Sequence, residues 1–73
     1  MKVRVRIDTL SDIAAFVLAV SSVKSKVYLT NDENLRVDGK SFLGVAHAHE
    51  FDDLWCECDE DIYSKISSFI PAE

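Results

Sequence analysis

The sequence predicts an α+β fold in which helices cover one face of an antiparallel sheet and leave the other face open to water. Three observations carry this. Residues alternate between apolar and polar at 2–7, 26–30, 35–37 and 54–58, the pattern of strands with one buried face. Between and after these runs, apolar residues recur at helical spacing. The strand faces and helix stripes then agree on one arrangement, β-α-β-β-α-β-α, with the stripes laid against the apolar side of the sheet.

In the first strand, Val3, Val5 and Ile7 point one way and Lys2, Arg4 and Arg6 the other. Thr9-Leu10-Ser11-Asp12 reads as a capping box, with Asp8 adding negative charge at the positive end of the helix dipole. The stripe of that helix is Leu10, Ile13, Val17 and Val20, with Phe16 beside it, and Ser21-Ser22 closes it. Lys26 to Thr30 is the second strand, Asn31-Asp32-Glu33-Asn34 a turn, and Leu35 to Val37 a short third strand, so residues 26–38 form a hairpin. Asp38-Gly39 ends it, and Lys40 to about Ala48 is a short helix. Leu54 to Cys58 alternates again, with Leu54, Cys56 and Cys58 inward. Asp59-Glu60-Asp61 places carboxylates at the start of a last helix, whose stripe is Ile62, Ile66, Phe69 and Ile70 and which Pro71 stops.

Seventy-three residues, 48% hydrophobic and 29% charged, describe one globular domain spanning 1–73, close to the lower size limit for a self-supporting core. Such a core rarely supplies more than about 3–5 kcal/mol, so its patterning must be consistent. A net charge of −5 argues against nucleic acid and anionic membrane as partners, because both are held by Lys and Arg. No signal-peptide pattern and no run of about 20 apolar residues is present, which leads to an expected cytoplasmic location.

The segment Val37-Asp38-Gly39-Lys40-Ser41-Phe42-Leu43-Gly44-Val45 resembles the entry to the second helix of HPr, the small phosphocarrier of the bacterial sugar phosphotransferase system. Two further stretches share the likeness: Ala14-Ala15-Phe16-Val17 is similar to the apolar run of that family's first helix, and Cys58-Asp59-Glu60-Asp61 to the opening of its last. The resemblance implies an open-faced sandwich with strand order 1-4-2-3. It also implies a regulatory serine at Ser41, modified in Gram-positive relatives by HPr kinase/phosphorylase to give a product that binds a transcriptional regulator. The family carries its phosphoryl group on a histidine at the start of the first helix, followed closely by an arginine and a proline. Here that region is Asp8-Thr9-Leu10-Ser11-Asp12-Ile13, with none of the three, and the loop before it is shorter than in typical members. A hydroxyl cannot replace the nucleophilic imidazole in that relay. The expected activity is therefore regulatory protein binding, with neither enzymatic phosphoryl carriage nor a cofactor.

Ser41 has two readings, a switch residue that accepts phosphate or a plain helix cap. Around it, Lys40, Phe42 and Gly44 are candidate partner-binding residues, although Ala46-His47-Ala48-His49-Glu50 replaces the apolar, Leu-containing patch and glycine that follow in the family. A second candidate surface is the open sheet face, where Tyr28 and Trp55 are flanked by Arg4 and other cations; it would serve a different partner or a homodimer. The competing account of that face is a set of cross-strand pairs shielding a wet sheet. His47 and His49 are candidates for metal or pH sensing, but two residues apart on a helix they diverge, and no metal-ligand spacing is present. Cys56 and Cys58 read as buried apolar thiols.

Overall fold

The computed structural model describes residues 1–71. Its elements are β1 (Lys2–Val5), α1 (Leu10–Val20), β2 (Val27–Thr30), β3 (Arg36–Asp38), α2 (Phe42–Ala48), β4 (Leu54–Cys58) and α3 (Tyr63–Ile66), the last running directly into a 3₁₀ turn at Ser67–Phe69. All strand pairs are antiparallel and the sheet order is β1-β4-β2-β3, open rather than closed. The expected α+β class and strand order are both present.

Register follows from the alternation. Val5 opposes Leu54 and Val3 opposes Cys56, while Cys56 and Cys58 of the same strand oppose Leu29 and Val27. The apolar side of the sheet thus becomes one floor, on which Ile13, Phe16 and Val20 of α1, Val45 and Ala48 of α2, and Ile66 and Phe69 pack as a single core. Phe16 meets Phe69 edge to face at 5.3 Å, the favoured geometry for two ring quadrupoles. Burial pushes the Cys56 thiol up to about 12, helped by Cys58 beside it, so it is inert at neutral pH, and both cysteines are free.

Local chemistry sets the boundaries. Thr9 caps α1 in a complete box: Thr9 Oγ1 accepts from the Asp12 amide at 3.1 Å, and Asp12 Oδ2 accepts from the amides of Asp8 and Thr9 at 3.0 and 3.1 Å. Those two backbone bonds hold the Asp12 carboxyl below its usual range. β1 ends at Val5, short of the expected Ile7, because β4 begins at Leu54 and the Arg6 amide turns instead to the Phe69 carbonyl at 2.7 Å. In the hairpin turn, Asn31 Oδ1 accepts from the amides of Glu33, Asn34 and Leu35 while Asp32 takes φ 65, and β3 starts one residue later than expected.

Two expectations are corrected. Leu10 is 73% exposed rather than part of the core stripe. The last helix is a single turn followed by a 3₁₀ turn rather than one continuous helix. Pro71 has no N–H for the Ser67 carbonyl, which the Ile70 amide takes at 3.2 Å in the tighter i→i+3 bond, and two serines in the turn add little helix propensity. The acidic run before it is also used differently. Asp61 Oδ1 accepts from the Tyr63 amide at 3.1 Å, whereas Glu60 reaches across to Ser25, whose hydroxyl and amide, the latter at 2.9 Å, lower the Glu60 pKa.

Candidate functional site

α2 begins beside the end of α1. The Asp38-Gly39-Lys40 turn is fastened to β2 by Gly39 N–H on the Val27 carbonyl at 2.7 Å and braced internally by Lys40 N–H on Asp38 Oδ1 at 2.9 Å. Ser41 then caps α2, its Oγ accepting from the Gly44 amide at 3.1 Å. The plain-cap reading of Ser41 therefore describes what its hydroxyl does in this state. Ser41 is half-buried, with neighbours Phe42 and Leu43 at the surface.

Two candidates beside it turn out to have structural duties. Lys40 sends its ammonium to the Val23 carbonyl, just past the end of α1. There it serves as the cation that the last turn of α1 does not supply itself. Gly44 faces the strand: an added Cβ would stand 2.9 Å from the Asp38 carbonyl oxygen and 3.4 Å from Val37 Cβ. Its lack of a side chain lets α2 lie against the end of β3, so Gly44 has a packing duty of its own.

Much of what α1 and the start of α2 present to solvent is apolar. Leu10, Ala14 and Leu18 are spaced four apart on α1 and are all exposed, Leu10 at 73% and Leu18 at 75%. At the end where Lys40 meets Val23, Phe42 at 48% and Leu43 at 81% stand on the first turn of α2. Leu10, Leu18 and Leu43 were not singled out as site residues from sequence. A signal existed: of the eleven residues of α1 only Ser11 and Asp12 are polar, and a helix apolar on every side normally finds cover on every side.

The opposite surface, the open sheet face, satisfies itself. Glu57 at its centre takes Arg36 at 2.8 Å and Lys2 at 4.0 Å, and Lys2 also pairs with Asp32. The Arg36 guanidinium lies 4.1 Å from the Tyr28 ring centroid and the Lys2 ammonium 5.7 Å from that of Trp55. Arg4 pairs with Asp53 at 3.5 Å and sits opposite Trp55 in the ladder. Tyr28 and Trp55 are half-buried under these cations, so the cross-strand account of the face describes its geometry better than an aromatic docking surface does.

The histidines have separate surroundings. His47 is exposed and packs edge to face on Phe51 at 5.7 Å. His49 lines a cleft of about 530 Å³ with Arg6, Asp8, Phe51 and Asp52, and its Nδ1 is shut away from solvent without a hydrogen-bond partner. Among the described residues no three His, Cys, Asp or Glu side chains converge as a metal centre requires. The start of α1 carries only Thr9, Leu10, Ser11 and Asp12, none of them a nucleophilic imidazole. Among the described residues no helix is long and apolar enough to cross a membrane. No protein-family model, curated protein or solved structure matches the chain.

Proposed function

We propose that this chain is an HPr-like regulatory module that binds a protein partner through the outer surface of its helices, does not carry phosphoryl groups on histidine, and is switched at Ser41. One observation supports the docking reading above the others: Leu10, Leu18, Phe42 and Leu43 are left uncovered on a domain whose remaining large apolar side chains, Tyr63 apart, are buried or half-buried. Full burial of one such side chain is worth roughly 1.5–3 kcal/mol, so a partner that covers three or four gains enough for specific binding. Ser41 stands directly before Phe42 and Leu43, where added charge would alter the contact.

Two incubations and a titration test this. HPr kinase/phosphorylase with ATP should phosphorylate the protein but leave Ser41→Ala unmodified. Phosphoenolpyruvate with the first enzyme of the phosphotransferase system should yield no phosphohistidine, and stoichiometric phosphohistidine would overturn the reading. Titration of the phosphorylated protein with a catabolite regulator should shift the NMR methyl signals of Leu18 and Leu43. Shifts confined to Trp55 and Tyr28, or concentration-dependent dimerisation through them, would instead establish the sheet face as the working surface.

A further inference from the structure

The short connection from α1 to β2 is held from three directions. Lys40 of the turn before α2 donates to the Val23 carbonyl, Glu60 before α3 accepts from the Ser25 amide at 2.9 Å, and the Lys65 ammonium on α3 stands 3.4 Å from Ser22 Oγ. Val23 itself is buried, and its amide continues α1 through a 3.1 Å bond to the Val20 carbonyl. Of the three ties, the one from Lys40 comes from the residue directly before Ser41, the candidate switch.

We infer that Lys40 is a movable latch: negative charge at Ser41 draws its ammonium off the Val23 carbonyl and so loosens the end of α1 that carries Leu18. This rests on the reading of Ser41 as a switch and adds how the switch would reach α1. In the unmodified state the Lys40 ammonium has a neutral carbonyl as its bonded partner. A phosphoserine one residue away offers three acceptor oxygens carrying nearly two negative charges, and a charge-assisted ionic contact is stronger than one to a neutral oxygen. The Val23 carbonyl then loses its cation, and the last turn of α1, which has no basic residue of its own, loses the interaction that offset its negative end. The two discrete states differ in which oxygen holds one ammonium, and that differential contact couples Ser41 to the apolar ridge on α1.

The chain is short enough to assemble chemically with phosphoserine at position 41, so the test needs neither a kinase nor a partner. Native-state hydrogen exchange at the Val23 amide is the readout. Phosphorylation should raise its exchange about tenfold, the loss expected for one hydrogen bond to a charged group. Lys40→Met should give the same rise without phosphate and almost none beyond it when phosphate is added. Ser41→Asp, which retains a capping oxygen, should give a smaller rise in the same direction. Unchanged exchange in the phosphoserine protein overturns the latch, and so does an undiminished effect of phosphate in Lys40→Met. Because exchange is read on the isolated protein, either result leaves the docking proposal to its own titration, and failure of that titration leaves the latch standing or falling on exchange alone.

Discussion

The two outer faces of this small protein solve opposite problems. The open sheet face is covered with charge that the protein uses on itself: Glu57 gathers Arg36 and Lys2, and the same cations lie over Tyr28 and Trp55. The outer face of the helices has leucines with nothing over them. Sequence composition pointed the other way, since tryptophan and arginine are enriched in interfaces and leucine is common in cores. The difference teaches that what matters is whether a side chain has a partner within the fold, which composition does not record. An Arg over a Tyr is already half of an interface made internally.

The largest expected effect separates the two sides of one helix. Phe16 and Leu18 are two residues apart on α1, yet Phe16 is fully buried against Phe69 and Leu18 is exposed. Phe16→Ala should cost about 3–5 kcal/mol, comparable with the whole stability of so small a core. The variant should show no cooperative thermal transition at room temperature and above. A preserved transition with a modest shift would mean that the core repacks easily, and the contrast with Leu18 would lose its basis.

Next comes Gly44→Ala, which asks whether the start of α2 is built for packing or for contact. In an open helix position the change would stabilise, by about 1 kcal/mol. Here the new methyl would stand 2.9 Å from the Asp38 carbonyl, so a net loss of about 1–3 kcal/mol is expected. For a domain of this size, that is a fall in Tm of roughly 4–8 °C for each kcal/mol. A rise in Tm would return Gly44 to the docking surface.

Glu57→Gln probes the sheet face alone. Its partners are largely exposed, so the loss should be no more than about 1 kcal/mol, and it should shrink as salt is added. A larger, salt-independent loss would show that the network is structural in a way surface ion pairs rarely are.

The order of elements was legible in the sequence because strand alternation, the Thr9 capping box, Asp38-Gly39 and Pro71 are local signals whose physics acts within a few residues. Where local signals compete with distant ones, reading failed. Leu10 fits the core stripe by spacing, yet it lies in line with Ala14 and Leu18 on the exposed side of α1, while Ile13, Phe16 and Val20 take the buried side. Lys40 and Gly44 sit in a motif that resembles a docking segment, yet what they touch is Val23, 17 positions back, and Asp38, on the strand the helix crosses. Glu60 reads as a helix-start carboxylate, and its partner Ser25 lies 35 positions away. Those choices depend on tertiary approach, which no window of sequence contains. The exposed ridge was readable in principle, from a surplus: α1 has more apolar residues than one buried face can use.

The smallest effect on stability completes the contrast with Phe16. Leu18→Ser removes exposed apolar surface and leaves no cavity, so unfolding in urea should change by no more than about 0.5 kcal/mol. Its consequence should lie elsewhere. If the ridge is a docking surface, Leu18→Ser and Leu43→Ser should each weaken binding of the regulator named above while leaving the melting curve in place. Each deletes burial that only the complex achieves, and the two losses should add if the partner spans both helices. If both variants melt and bind as the parent does, exposed leucine here is ordinary surface, because most folded proteins keep much apolar area in contact with water. The distinction between the two faces would then be one of composition without a functional consequence.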